Sequence, residues 1–144
     1  MRIQRAYKQD IGAVAALAAQ MWDASSRELS EEFEQLLSSD EAALFVAREK
    51  GRSVGFAQCQ LRHDYVEGTE SSPVGYLEGI YVDEAFRRRG IAARLLAACE
   101  AWAKEKGCRE FASDCELTNS DSLKFHLSLG FSEANRIICF TKEL

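Results

Sequence analysis

Apolar positions recur along this chain with two periods, one typical of helices and one typical of strands. Helical stretches repeat their apolar residues every three or four positions, and strand-like stretches alternate or are apolar throughout. Asp10 and Ser30 precede two helical stretches and are predicted to cap them. The pattern predicts the order β-α-α-β-β-β-α-β-α-β, with elements at residues 3–6, 11–22, 31–37, 43–49, 53–62, 74–82, 91–106, 108–114, 120–129 and 136–142.

The strand predicted at residues 74–82 reads VGYLEGIYV and is apolar on both faces, as in a strand covered on both sides. Because an unpaired buried carboxylate is costly, we expect Glu78 within it to be paired, solvated or functional. Gly79 follows, and a glycine inside a strand often marks a bulge or a close approach to the backbone. The helical crossover predicts that the strand at 108–114 lies parallel to this one.

The helix predicted at residues 91–106 begins beside three consecutive arginines, Arg87, Arg88 and Arg89. Cations at the positive end of a helix dipole are disfavoured by roughly 0.3–1 kcal/mol each. A bound anion reverses this balance, because free backbone N–H groups, the dipole and the arginines then all face it. Neither a Walker loop nor a dinucleotide-binding fingerprint is present, so the sequence predicts a phosphate site of another kind.

Length and composition narrow the range of functions. The 144 residues predict one domain, residues 1–144, with a substantial core. The net charge of −5 argues against a nucleic-acid partner, which needs a basic face. The five cysteines form no C-x-x-C pair, so we expect reduced thiols and a cytoplasmic location. They share no ligand spacing with the two histidines, so we expect no metal site. No leader peptide and no apolar run long enough for a membrane span is found, so no membrane partner is expected.

The loop after the central strand carries Arg87-x-x-Gly90-x-Ala92, and here the chain resembles the GCN5-related N-acetyltransferases, whose loop is written (R/Q)-x-x-G-x-(G/A). The resemblance extends along the whole chain and implies an α/β fold with a mixed central sheet, helices on both faces and two parallel strands that splay apart. It also implies that the loop and the preceding strand hold acetyl coenzyme A (acetyl-CoA), through Ile80, Tyr81, Val82, Arg87, Arg88, Arg89, Gly90, Ile91 and Ala92.

Acetyl transfer to an amine needs a polarised thioester carbonyl and a deprotonated acceptor. Uncovered N–H groups beside the bulge expected at Gly79 would polarise the carbonyl. Glu78 and Asp114, predicted on neighbouring parallel strands, are the candidate bases. The alternative role of Glu78 is a buried salt bridge, and that of Asp114 is a cap or turn residue.

The stretch Asn119-x-x-Ser122-x-x-x-His126 is similar to a family pattern that ends in tyrosine. The resemblance implies that Asn119 contacts coenzyme A and that the last position protonates the leaving thiolate. His126 could donate that proton, since histidine titrates near neutral pH, or it could be a packing residue on a helix face.

Longer segments resemble the short bacterial aminoglycoside 6'-N-acetyltransferases. They read HDYVEGTESSPV, YLEGIYV, GCREFASD and HLSLGF. The resemblance implies acetyl transfer to the 6'-amine of an aminoglycoside, with antibiotic resistance as the result, and a homodimer. By position, the acceptor site would be lined by Trp22, Tyr65, Glu78 and Asp114. Carboxylates attract the ammonium groups of such a drug, and aromatic faces suit sugars and cations.

Two other functions stay open from the sequence. The chain could acetylate a different amine, such as a polyamine, a small metabolite or a peptide amine. It could also be a non-catalytic coenzyme A-binding module, but such a module would lack the catalytic acids, and both Glu78 and Asp114 are present. Tyr65 in its loop favours a drug over the other amines.

Overall fold

The computed structural model describes all residues, 1–144, and contains five strands and four helices. The strands are β1 (Arg2–Arg5), β2 (Ala42–Glu49), β3 (Arg52–Arg62), β4 (Val74–Val82) and β5 (Phe111–Ala112). The helices are α1 (Ile11–Ala18), α2 (Ser26–Leu37), α3 (Ile91–Glu105) and α4 (Ser120–Ser128). Short 3₁₀ turns precede α1 and follow β4, at Lys8–Asp10 and Glu84–Phe86.

The strands form one mixed sheet in their chain order, β1-β2-β3-β4-β5. Neighbours from β1 to β4 are antiparallel, whereas β5 is parallel to β4 because α3 carries the chain back across the sheet. The mixed α/β sheet predicted from the sequence is therefore confirmed.

Two apolar cores lie on opposite faces of this sheet. On one face α3 packs through Leu95, Cys99 and Trp102, and on the other α1 and α2 pack through residues that include Val14 and Phe33. The two cores explain why β4 is apolar on both faces. None of the helices combines the length and the hydrophobicity that crossing a membrane requires.

The predicted cap of the second helix is wrong. α2 begins at Ser26 and is capped by Ser25, whose hydroxyl accepts a hydrogen bond from the N–H of Glu28 at 3.2 Å. Ser30 lies inside the helix. Serine is favoured as a helix cap by its local hydrogen bonding, and both Ser25 and Ser30 satisfy that preference, so the sequence alone does not decide between them.

Asp10 does not cap α1 through its side chain. Its carboxylate is buried, accepts from the N–H of Tyr7 at 2.7 Å and forms an ion pair with Arg48. The carboxylate of Asp10 therefore stabilises the 3₁₀ turn before the helix and not the first turn of the helix itself. α1 also ends at Ala18, earlier than predicted, and a non-helical turn leads on to Trp22.

The strand predicted at residues 136–142 is not formed, since residues 131–144 contain neither helix nor strand. Three of its apolar side chains, Ile137, Ile138 and Phe140, are 62%, 79% and 88% exposed. The strand predicted at 108–114 is reduced to the two residues of β5. A strand of two residues has too few free backbone groups to pair with a seven-residue strand. Without such hydrogen bonds, residues 136–142 remain irregular despite their alternating apolar pattern.

Candidate active site

β4 and β5 pair over two residues and then separate. Their ladder joins Gly75 to Phe111 and Tyr76 to Ala112, and no further pair follows. The splay of two parallel strands that the family resemblance implies is therefore present. It uncovers one edge of β4 at the carboxyl ends of the strands, where open α/β sheets bind their ligands.

Where β4 lines this gap, the backbone N–H and C=O groups of successive residues point alternately to β3 and to the uncovered edge. The N–H of Asp83 bonds to the neighbouring strand segment at 2.8 Å, and by alternation Tyr81 and Gly79 also turn their backbone groups to β3. Ile80 and Val82 then turn theirs to the gap. Of the three strand residues assigned to coenzyme binding, Ile80 presents both backbone groups there and Val82 presents its N–H, since the Val82 carbonyl accepts from Arg87 Nε. Tyr81 presents neither.

The close approach predicted at Gly79 is made by the indole of Trp22. A β-bulge leaves Glu78 without a partner on β3, and Gly79 follows the bulge. A methyl group added to Gly79 would lie 2.6 Å from Cη2 of Trp22. The indole is held from behind by Phe33 and Phe56, with ring centroids 6.3 and 5.9 Å away. Trp22 is therefore fixed beside the bulge, as its assignment to the acceptor site requires.

Of the three alternatives expected for Glu78 (paired, solvated or functional), the structure shows that it is paired, and its partner is Arg62. The guanidinium donates from Nε at 3.1 Å and from Nη2 at 3.0 Å, so it holds both carboxylate oxygens. The Glu78 side chain is 19% exposed. Burial lowers the pKa of Arg62, but the hydrogen bonds and charge of Glu78 outweigh it and raise that pKa above its usual value. The same guanidinium lies over the Tyr76 ring, 3.5 Å from its centroid.

Asp114 lies two residues beyond the end of β5 and is exposed. Its Oδ2 accepts a hydrogen bond from the Tyr76 hydroxyl, and its Oδ1 has no partner. Burial and the Asp114 carboxylate together raise the pKa of Tyr76, so the phenol remains a donor at all physiological pH values. Arg62, Glu78, Tyr76 and Asp114 thus form one connected group, in which one carboxylate is fully engaged and the other has a free oxygen.

Tyr65 lies in the loop between β3 and β4 and is 75% exposed. Its hydroxyl accepts from the N–H of Gly68 at 3.4 Å. Glu110, just before β5, anchors the same loop by accepting from the Glu70 N–H at 2.9 Å and from the Ser71 hydroxyl. These hydrogen bonds lower the pKa of Glu110. The loop is therefore tied to the strand that carries Asp114.

The three arginines after β4 have different surroundings. Arg87 donates from Nε to the Val82 carbonyl at 2.8 Å, and Arg89 pairs with Glu49 at 2.7 Å. Arg88 is exposed, has a positive φ of 65° and makes neither a hydrogen bond nor an ion pair. Arg88 is the arginine that is left to bind an anion.

The start of α3 is also open to an anion. Gly90 precedes the helix in the left-handed conformation, with φ of 75°, and provides no side-chain cap. The first N–H groups of a helix have no partner within it, so those from Ile91 and Ala92 onwards remain available. An uncapped helix start beside a free arginine fits a diphosphate.

Asn119 caps α4, where its side chain accepts from the N–H of Ser122 at 3.0 Å. This bond uses Oδ1 and leaves the amide nitrogen free. Seven residues on, the imidazole of His126 lies with Nδ1 2.7 Å from the Ser122 carbonyl oxygen and Nε2 2.8 Å from the Ser113 hydroxyl. The structure therefore places His126 beside the end of β5, in contact with Ser113, the residue before Asp114.

The sequence did not single out Arg62, Tyr76 or Ser113. The apolar pattern of β4 includes Tyr76 without giving it a role, but a buried phenol usually needs a hydrogen-bond partner, and that rule points to it. Arg62 offered no signal, because β3 pairs it with Val74, four positions from the glutamate that it holds.

A cavity of about 870 Å³ opens elsewhere, between α1 and the turn that joins β2 to β3. Tyr81 is the one predicted site residue that lines it. The carboxylates and the uncovered strand edge lie outside it, so the site is assigned to the gap between β4 and β5. No group of three or more His, Cys, Asp or Glu side chains is arranged to hold a metal ion.

Comparison with known proteins gives consistent results along nearly the whole chain. The model of the acetyltransferase (GNAT) family matches residues 11–131. The aminoglycoside N(6')-acetyltransferase type 1 of Salmonella typhimurium is 49% identical over 109 residues, 76% of this chain and 75% of that protein. The apo crystal structure of the aminoglycoside antibiotic 6'-N-acetyltransferase AAC(6')-IG from Acinetobacter haemolyticus matches with a TM-score of 0.96 and 38% identity, covering 100% of this chain and 99% of that one. AAC(6')-Iy in complex with the bisubstrate analog CoA-S-monomethyl-acetylneamine matches with a TM-score of 0.93 and 40% identity, covering 99% and 98%.

Proposed function

The chain belongs to the acetyltransferase (GNAT) family, and we propose that it transfers acetyl from acetyl-CoA to the 6'-amine of aminoglycosides. The observation that carries the proposal is the meeting of an uncovered backbone edge with two carboxylates where β4 and β5 separate. Acetylation removes a positive charge and a hydrogen-bond donor from the drug, which weakens its binding to RNA phosphates. Antibiotic resistance follows from that loss.

The residues of the gap and of the arginine loop suit acetyl-CoA. Arg88 and the uncapped start of α3 after Gly90 are assigned to the diphosphate. Ile80 and Val82 are assigned to the amide groups of the pantetheine arm, as a strand pairs with its neighbour. The amide nitrogen of Asn119 is free to contact the same arm.

Catalysis requires that the thioester carbonyl be polarised. A backbone N–H of β4 beside the bulge faces the gap and donates to the carbonyl oxygen as negative charge develops on it. One such donor typically contributes roughly 10²–10³-fold to kcat. Because it belongs to the rigid centre of the sheet, it needs no rearrangement when the reaction occurs.

Asp114 is assigned as the base that takes a proton from the acceptor ammonium. Arg62 already holds both oxygens of Glu78, whereas Asp114 keeps one oxygen free and is exposed to the acceptor. Glu78 is assigned to binding, since its charge attracts the cationic drug. Trp22 and Tyr65 are also assigned to the acceptor site, because aromatic faces suit sugar rings and cations.

We also propose a homodimer in the cytoplasm, without a nucleic-acid partner. Ile137, Ile138 and Phe140 leave an apolar surface that a second copy of the chain would cover. All five cysteines are free, which suits a reducing compartment. The net charge of −5 disfavours phosphate backbones. Gel filtration with light scattering measures the assembly, and a monomer at micromolar concentration would reject the dimer.

The acceptor is tested by a matched pair of drugs. Neomycin carries an amine at the 6' position and paromomycin carries a hydroxyl there, while the rest of the two molecules is the same. Thiol release from acetyl-CoA is expected with neomycin and not with paromomycin. Equal rates with both drugs would reject the 6'-amine as the site of transfer, and activity confined to polyamines or peptides would reject the drug.

The role of Asp114 is tested by Asp114→Asn. Turnover is expected to fall by about 10²-fold, the contribution typical of a positioned base, while acetyl-CoA affinity stays unchanged. Calorimetry with acetyl-CoA separates the two effects. Unchanged turnover would remove Asp114 from the mechanism.

A further inference from the structure

The hydroxyl of Ser113 lies in the opening between β4 and β5. Ser113 follows the last paired residue of β5, and its Oγ is 3.4 Å from the carbonyl oxygen of Leu77 on β4. The same oxygen is 2.8 Å from Nε2 of His126 on α4. A half-buried hydroxyl is thus held at the gap to which acetyl-CoA is assigned, and it contacts an imidazole.

The hydrogen bonds of His126 fix its tautomer. Nδ1 is 2.7 Å from the carbonyl oxygen of Ser122, and a carbonyl can only accept, so Nδ1 carries a proton. In the neutral ring Nε2 therefore has a lone pair and accepts from the Ser113 hydroxyl. In the cationic ring Nε2 has a proton and donates to Ser113 Oγ, so the hydroxyl proton turns to the other side, where it is donated to the Leu77 carbonyl at the edge of the gap.

The surroundings of the imidazole are mostly apolar. The rings of Phe125 and Phe131 flank it, with centroids 6.0 and 5.3 Å away, and it forms no ion pair. The charged residues nearest to His126 along the chain are Asp121 and Lys124 on α4 and Glu133 beyond it, and Asp114 adjoins its partner Ser113. On the neighbouring strands, the carboxylate of Glu78 on β4 forms an ion pair with the guanidinium of Arg62 on β3.

We propose that Ser113 protonates the sulfur of the leaving coenzyme A and that His126 replaces the proton that Ser113 gives away. This proposal deepens the acetyltransferase function proposed above and depends on it. As the acceptor nitrogen bonds to the carbonyl carbon, the carbon–sulfur bond breaks and its electron pair goes to sulfur. The Ser113 proton moves to sulfur, and the Nε2 proton of cationic His126 moves to Ser113 Oγ.

The protons balance over one turnover. The acceptor ammonium loses two protons when it becomes an amide. One restores the proton that His126 spent, and the other is released to solvent. His126 ends the step neutral with its proton on Nδ1, which is the tautomer that the Ser122 carbonyl requires. Ser113 touches the reacting sulfur and is catalytic in this scheme, whereas His126 acts through it.

Two other roles for the pair lead to different results. If His126 only ties α4 to β5, the serine and histidine contribute to stability and leave the pH profile of kcat unchanged. If His126 instead made Ser113 a nucleophile, an acetyl-serine would form and coenzyme A would be released in a burst without any acceptor.

The test compares Ser113→Ala, Ser113→Thr and His126→Gln with the control Ser128→Ala. Ser128 lies on the exposed side of α4, and its hydroxyl bonds only to the Phe125 carbonyl at 2.7 Å. Single-turnover acetyl transfer is measured against pH, together with acetyl-CoA affinity. Ser113→Ala is expected to lower the rate by about 10- to 100-fold with affinity within a factor of about two, and Ser113→Thr to restore most of it.

The pH profile of His126→Gln decides the relay. The wild-type rate should fall as the pH is raised, because only a cationic imidazole can return a proton to Ser113, and this fall should be absent in His126→Gln. The control variant should match the wild type throughout. A Ser113→Ala enzyme with the wild-type rate and profile would overturn the proposal, as would a burst of coenzyme A without acceptor.

A measurement on the wild type keeps the inference testable should the variants misfold. The single-turnover rate in mixtures of H₂O and D₂O should depend on deuterium content in a curved way, because two protons move in one step. A linear dependence would contradict the relay. If the natural acceptor proves to be a polyamine or a peptide, the same rates are measured with that acceptor, so failure of the drug assignment remains distinct from failure of the relay.

Discussion

Replacing Gly79 by alanine introduces a methyl group at the one point of β4 where Trp22 covers the backbone. The new carbon would lie 2.6 Å from Cη2 of the indole and 3.3 Å from Cε of Met21. The methionine end is flexible and can give way. The indole cannot easily do so, because Phe33 and Phe56 are fully buried behind it.

The expected loss of stability is the difference between two effects. Forcing a methyl group into a filled site typically costs 1–3 kcal/mol, whereas removing a glycine from a strand gains about 0.5–1 kcal/mol of chain entropy. Taking the middle of each range, we expect the free energy of unfolding to fall by about 1.3 kcal/mol. A displaced indole should also raise KM for the drug while KM for acetyl-CoA changes little.

Urea unfolding with Gly12→Ala as the matched control measures this effect. Gly12 lies within α1 with nothing inside 4 Å of an added methyl group, so the control should gain about 0.5–1 kcal/mol. Combining Gly79→Ala with Trp22→Leu should cost less than the sum of the two single changes, because the smaller side chain makes room. A Gly79→Ala protein as stable as the wild type would refute the packing of Trp22 on the bulge.

Three further predictions concern charged groups. Arg62→Met leaves two carboxylates uncompensated in the acceptor site, so KM for the drug should fall and depend more steeply on salt; an unchanged KM in kinetics at low and high salt would contradict this. Arg88→Ala should weaken acetyl-CoA binding more than Arg89→Ala, since the second arginine is already paired, and calorimetry at low salt compares them. The lowered pKa of Glu110 means that its bond to Ser71 stabilises the fold above about pH 4.3 and is lost as pH falls through the folded-state pKa. Ser71→Ala should therefore unfold more easily than wild type at pH 7 and equally easily well below pH 4, and a difference that persists in acid would reject this explanation.

The elements around the coenzyme site could be predicted because their signals are local. The apolar run of β4, the three arginines and the helical period of α3 lie within one continuous stretch. The parallel placement of β5 then follows from the crossover alone. Each inference needed only neighbours along the chain.

The contacts of the acceptor site could not be predicted in the same way. Arg62 reaches Glu78 only because a bulge shifts β4 against β3 and because the Tyr76 ring supports the guanidinium. Ser113 and His126 meet through the packing of α4 against the end of β5. Such pairings depend on register and on tertiary packing, which a pattern of hydrophobic residues does not encode.

For the segment 136–142 the sequence predicts an element that the structure does not contain. Its alternating apolar residues are typical of a strand, but β-structure requires a neighbour with free backbone groups, and β5 is only two residues long. Strand propensity alone therefore predicts a strand at 136–142, although the chain contains no neighbouring strand with which these residues could form hydrogen bonds.

The exposed edge of β4 has a consequence for drug design. Every amino acid except proline presents the same amide and carbonyl at Ile80 and Val82, so point mutations cannot easily remove these atoms. A compound that adds an extended strand to this edge would compete with the acetyl donor for main-chain groups alone. Escape by substitution would then require a change that also damages the enzyme's own use of that edge.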